Sequence, residues 1–194
     1  MNNISFFSYK SINISYFMAF AIISGVLAYI LSSLLAKEYK MDKSKIQDMY
    51  LTLLIIGFIG ARLGYVFWNF KPFKGKLLSI LSLSHYNLSL LGGVVGAILA
   101  LIILARMYKI NFNNLLSLFA TSFYFAMAIG VWVLKFDYLL FMSSSIGKSE
   151  NNILLVSAMF LLAMVLEKYL KNRVKNKYIT PTILIVVMAL YYLI

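Results

Sequence analysis

The chain has 194 residues, 62% of them apolar and only 12% charged, with a mean hydropathy of +0.88. A soluble domain carries roughly a quarter charged residues, so a water-soluble globule is excluded; cysteine is absent, which removes disulfides, thiolate nucleophiles and cysteine-held metals together. The net charge of +12 comes from 18 basic residues that stand between hydrophobic runs, the pattern of loops against an anionic lipid surface and not of a nucleic-acid binder.

Six hydrophobic segments follow in chain order, at about 14–36, 49–70, 88–108, 115–134, 153–166 and 179–194. A bilayer core needs roughly 20 apolar residues per helix, so the last two are short for a full span. The first run is too long for the apolar stretch of a signal peptide and shows no small-x-small cleavage site, so it is read as a span and not as a cleaved leader. Pro181 stands near the start of the last segment, where a missing N–H costs little. Residues 142–152, with four serines, Gly147 and two asparagines, form the most linker-like stretch. The expected fold class is all-α: one integral membrane domain over 1–194, a polytopic helix bundle of about six transmembrane helices.

Lysine and arginine set the orientation. The first, third and fifth loops hold Lys37, Lys40, Lys43, Lys45, Arg106, Lys109, Lys168, Lys171, Arg173, Lys175 and Lys177. The other side holds Lys10, Lys71, Lys74, Lys76, Lys135 and Lys148. Basic loops stay in the cytoplasm, so both termini are expected outside, in a multi-pass plasma-membrane protein.

Arg62 is the exception to this partition. It lies eight residues before Phe70, about 12 Å below the end of its helix at 1.5 Å per residue. Arginine at the centre of a spanning helix costs roughly 2.5–3.5 kcal/mol on insertion scales, and no Asp or Glu falls inside any of the six segments. A guanidinium is a planar fork of donors that matches phosphate, and a phospholipid head group is the anion at hand in a bilayer. The bland alternative is a side chain that snorkels to the interface. Gly60 and Gly64 flank Arg62, and Gly92 and Gly96 form a second pair, with Gly93 beside them. Small residues at this spacing allow close helix packing or leave room for a head group.

These residues carry a resemblance. Gly60-Ala61-Arg62-Leu63-Gly64-Tyr65-Val66-Phe67-Trp68-Asn69 resembles the G-G-R-L/I-G-Y-V segment of the prolipoprotein diacylglyceryl transferase family. Ser89-Leu90-Leu91-Gly92-Gly93-Val94-Val95-Gly96, with Ala105-Arg106 beyond it, is similar to the family's S-F-H-G-G-x-x-G segment and its helix ending in A-R. The stretch 14–25 resembles the family's first span, with Tyr16 at a pocket tyrosine, and 43–50 resembles the loop into the second. The likeness covers about residues 12–137 and leaves the helices of 153–194 divergent.

The resemblance implies transfer of a diacylglyceryl group from phosphatidylglycerol to the lipobox cysteine thiol of a prolipoprotein, in lipoprotein biosynthesis. Phosphatidylglycerol is then the lipid partner, a prolipoprotein signal peptide a further partner, and no cofactor or metal is required. It also implies a phospholipid site of Arg62, Gly60, Gly64, Tyr65, Asn69, Tyr16, Ser89, Gly92 and Gly93. The family's histidine before Gly-Gly is Leu91 here, and its G-R-I/L-G-N-F-x-N-G-E signature keeps only Gly130 near 128–135. No catalytic residue is therefore assigned, and a non-catalytic lipid-binding relative is one expectation. His85, the only histidine, is six residues from Leu91, a poor match to the same helix face. Lys135 and Asp137 read as a surface pair. Tyr65, Trp68 and Phe70 read most simply as an interfacial aromatic belt, and Asn111, Asn113 and Asn114 as cap and loop residues. Two other classes fit the composition: the membrane subunit of a small-solute or vitamin transporter, and a structural membrane protein.

Overall fold

The computed structural model describes residues 5–9, 12–71, 88–136, 149–174 and 176–194. A short antiparallel hairpin, β1 (Ser5–Tyr9) and β2 (Ile12–Ser15), pairs Tyr9 with Ile12 and Phe7 with Ile14. Among the described residues six helices follow: α1 (Tyr16–Glu38), α2 (Lys43–Trp68), α3 (Leu90–Met107), α4 (Phe112–Gly130), α5 (Glu150–Arg173) and α6 (Ile179–Leu193). A 3-10 turn, Val131–Lys135, extends α4. Helices α1 to α5 are long and apolar enough to cross a membrane, and α6 is a shorter apolar helix. The protein is a polytopic helical membrane bundle.

Two features differ from the sequence expectation. The hairpin was not anticipated, although Ile12-Asn13-Ile14-Ser15 alternates with the two-residue period of a strand. The fifth segment is not short: α5 runs 24 residues instead of 153–166. Glu167, Lys168 and Lys171 lower the hydropathy of its last turns without ending the helix.

Local sequence sets the helix ends. Ser15, Asp42, Ser89 and Asn111 are N-caps whose side-chain oxygens accept from the backbone N–H of Met18, Ser44, Gly92 and Asn113, relieving donors that the first turn leaves unpaired. Helices α1 and α3 both end with a lysine at positive φ, Lys40 and Lys109, each at 54°. After each lysine the next N–H reaches back into the last turn, Met41 to Ala36 O at 2.8 Å and Ile110 to Ala105 O at 3.0 Å. This is the Schellman closure that usually takes glycine.

Helix α4 is the centre of the bundle. Leu115 to Ala120 are buried on every side of it, and α1, α3, α5 and α6 all pack on it. Helix α1 approaches it with a stripe of small buried residues, Ala19, Ser24, Ala28, Ser32 and Ala36. The large apolar side chains of the outer helices, among them Ile22, Val26, Ile30, Ile55, Ile59, Leu99, Ile103 and Leu162, point outward instead. Small residues inside and large ones outside suit a lipid solvent, where close helix contact and not hydrophobic exclusion drives association. The alternating helices place Lys37, Lys40, Lys43, Lys45, Arg106, Lys109, Lys168, Lys171, Arg173 and Lys177 at one end of the bundle, tied there by the Lys168–Glu38 pair at 3.4 Å.

Candidate functional site

The α2–α3 seam is built from glycines. A Cβ on Gly60 would sit 2.7 Å from Gly92 O, and one on Gly64 would sit 2.7 Å from Gly92 Cα. The Ser89 N–H donates to Ala61 O at 2.9 Å, so α3 begins about two turns below the end of α2. Gly60, Gly64, Gly92 and Gly96 thus bring backbones into contact, and the seam they form is filled by backbone.

Arg62 faces elsewhere. It is two residues from Gly60 and from Gly64, about 200° around the helix at 100° per residue. It lies four residues after Phe58, which lies four after Leu54, so all three share one stripe. Leu54 and Phe58 line a groove between α1 and α2, together with Ser15, Met18, Ile22, Tyr29 and Leu51, about 690 Å³ in volume, and Arg62 lies one turn beyond Phe58. Arg62 is 6% exposed, six residues before the end of α2 and about 9 Å along its axis. Its guanidinium carbon is 5.9 Å from the centroid of the Tyr65 ring. Tyr65 and Asn69 continue the stripe, and Asn69 caps α2, its Nδ2 donating to Tyr65 O at 3.2 Å. Across the groove, Tyr16 begins α1 next to Ser15 and stacks on Phe136, with centroids 4.4 Å apart.

Behind the groove lies an apolar cavity of about 380 Å³ among α1, α2, α3, α4 and α6. Phe17, Tyr50, Leu54 and Phe58 line both spaces and form the partition between them. The Tyr50 hydroxyl is fixed by donating to Gly25 O at 2.7 Å. Ser89 and Gly93 line the cavity together with Ala61, Val94, Phe119, Phe123 and Leu184. The expected site residues therefore fall into four groups: Arg62, Tyr65 and Asn69 on one stripe of α2 beyond the groove, Tyr16 at the start of α1 against Phe136, Ser89 and Gly93 at the cavity, and Gly60, Gly64 and Gly92 in the seam.

Leu91 is half-exposed, and its N–H donates to the Tyr192 hydroxyl at 3.2 Å. Lys135 pairs with Glu150 at 3.0 Å, both well exposed; Asp137, expected beside it, and His85 lie outside the described residues, as does most of 142–152. Trp68 and Phe70 are exposed at the end of α2, and Asn111 caps α4 while Asn113 and Asn114 belong to its first turn. Among the described residues no group of His, Cys, Asp and Glu is placed to hold a metal.

Sequence reasoning missed one residue of consequence. Glu167 is 1% exposed, in the interior of the bundle. A signal was there: Ile153, Val156, Phe160, Ala163 and Glu167, which with Ser157 are the buried positions of α5, are spaced three, four, three and four apart as on a single helix face.

The architecture defines a membrane protein with a groove between α1 and α2, a buried arginine one turn beyond the groove wall and an apolar chamber behind it. The model of the prolipoprotein diacylglyceryl transferase family matches residues 5–134, and the chain belongs to that family. Proteins named phosphatidylglycerol–prolipoprotein diacylglyceryl transferase are similar to it. That of Listeria monocytogenes is 33% identical over 122 residues, covering 63% of this chain and 44% of the relative. That of Clostridium novyi is 33% identical over 107 residues, covering 55% and 42%. That of Deinococcus radiodurans is 37% identical over 94 residues, covering 45% and 28%. The matched stretch is thus less than half the length of each of these relatives.

Proposed function

We propose that the chain is a phosphatidylglycerol-binding member of the transferase family, with the lipid phosphate on Arg62 and its acyl chains in the α1–α2 groove and the chamber behind it. The observation that carries this reading is the burial of Arg62, 6% exposed and one helical turn beyond Phe58, which lines the groove. Arginines within spanning helices mark substrate and ion pathways, and the planar fork of a guanidinium fits phosphate oxygens. Tyr65, Asn69 and Tyr16 frame the head group. Ser89 and Gly93 belong to the acyl chamber. Gly60, Gly64 and Gly92 hold α2 and α3 close enough to bound it. A chamber of about 380 Å³ lined almost wholly by apolar side chains is in the size range of ligand sites.

The lysine-rich end lies in the cytoplasm, which puts Arg62 in the outer half of a bacterial plasma membrane. There the relatives' namesake reaction would present phosphatidylglycerol to a prolipoprotein signal peptide. Diacylglyceryl transfer by this chain alone is weak, because Leu91 stands where the family carries histidine and an alkyl side chain moves no proton. The test is complementation of a bacterial strain depleted of its own transferase. Weak or absent rescue is expected, and full rescue would overturn the non-catalytic part of the proposal.

A further inference from the structure

At the lysine-rich end, four helices meet on one carboxyl group. The Ser117 hydroxyl of α4 donates to Glu167 Oε1 at 2.8 Å, and the Thr180 hydroxyl of α6 donates to the same oxygen at 2.7 Å. Tyr39, at the end of α1, bonds Ser117 Oγ at 2.8 Å, and Lys171 Nζ bonds Tyr39 Oη at 3.3 Å. The polarity of this chain is fixed from its outer end. An ammonium only donates, so the Tyr39 oxygen accepts, its one proton goes to Ser117, and the Ser117 proton goes to Glu167. Burial pushes the Tyr39 phenol above its usual range, which keeps that proton in place. Glu167 Oε1 is therefore the common acceptor for the whole set.

The residues joined come from two parts of the chain. Tyr39 and Ser117 lie in the family-matched stretch 5–134, whereas Glu167, Lys171 and Thr180 lie beyond it. Thr180 is one helical turn before Leu184, whose side chain lines the apolar chamber, and Ser117 lies between Leu116 and Phe119 of the chamber's α4 wall. A carboxyl that holds both hydroxyls at hydrogen-bond length fixes how far α6 slides along α4.

We propose that Glu167 is a positioning residue: it sets the axial register of α6 against α4, and so places Leu184 in the chamber wall and limits the length of the acyl chain admitted. The proposal rests on the reading of the chamber as an acyl-chain site. Its test compares Glu167→Gln, which keeps the Oε1 acceptor, with Glu167→Leu, which removes it, in the full-length protein. Two readouts are taken: amide hydrogen exchange along α6, and the chain-length distribution of phosphatidylglycerol retained from vesicles of mixed acyl length. Exchange in α6 is expected to rise about tenfold in Glu167→Leu and less than about twofold in Glu167→Gln, and only the leucine variant should broaden the retained chain lengths. Wild-type exchange in Glu167→Leu would overturn the register role. Faster exchange with an unchanged chain-length profile would reduce Glu167 to a structural tie and also overturn the proposal. Should Glu167→Leu fail to accumulate, Thr180→Val removes one donor only and carries the same two comparisons. If the wild type retains no phosphatidylglycerol, the functional reading fails, and α6 exchange still decides the register.

Discussion

The glycine seam between α2 and α3 gives a graded prediction. A methyl group added at Gly60 meets Gly92 O at 2.7 Å and one added at Gly92 meets Gly60 O at 2.6 Å, whereas at Gly57 the nearest atom is Gly93 O at 3.7 Å. The first two contacts are with backbone, which cannot rotate away, so the helices must part and the seam loses contacts along its length. Overpacking of this kind costs roughly 1–3 kcal/mol. Against it stands the gain from replacing helical glycine by alanine, about 0.5–1 kcal/mol. Gly57→Ala receives that gain with only an ordinary van der Waals contact, so it is expected to stabilise by about 0.5 kcal/mol or more. Gly60→Ala and Gly92→Ala are expected to destabilise by about 1–2 kcal/mol net, with the upper end favoured because both contacts lie well inside van der Waals distance. Gly96→Ala, whose nearest atom is Gly60 Cα at 3.1 Å, should fall between. The assay is equilibrium unfolding in mixed micelles. If Gly60→Ala proves as stable as Gly57→Ala, the seam is looser than described and the argument from backbone contact fails.

Other expectations follow from single residues. Lys40 and Lys109 occupy left-handed positions that penalise a side chain, so Lys40→Gly and Lys109→Gly should each raise stability by about 0.5–1 kcal/mol in the same unfolding assay. Asn111 caps α4, the central helix, through the Asn113 N–H, and Asn111→Ala should cost about 1 kcal/mol by equilibrium unfolding. Ser157 donates to Ala128 O at 2.7 Å and accepts the Trp132 indole N–H at 3.2 Å. Ser157→Ala should cost about 1–3 kcal/mol and shift the Trp132 emission, read in a Trp68→Phe background that leaves one tryptophan.

The segments legible in the sequence were those where hydropathy alone decides, and the helices at 14–36, 88–108 and 115–134 lie within a few residues of α1, α3 and α4. The helix α5 was cut short because a carboxylate and two lysines read as the end of a span. Glu167 stays in the interior because Ser117 and Thr180, 50 and 13 residues away, supply donors that no local window contains. Arg62 was identifiable as a buried cation because nothing else charged lies in its run. Its direction was harder to read: flanking glycines suggested a pocket beside them, while at 100° per residue Arg62 sits about 200° from both, away from the α2–α3 seam. Lysine at the two left-handed caps was invisible for a similar reason, since glycine is the usual signal and the Schellman bonds close here without it.

The proposed contact of a lipid phosphate with the guanidinium of Arg62 is tested directly by native mass spectrometry of protein released from bilayers of equal phosphatidylglycerol and phosphatidylcholine. The wild type should keep phosphatidylglycerol in preference to phosphatidylcholine, Arg62→Lys should keep less of it because a point charge replaces a fork, and Arg62→Ala should keep none. Equal retention by wild type and Arg62→Ala would contradict the account.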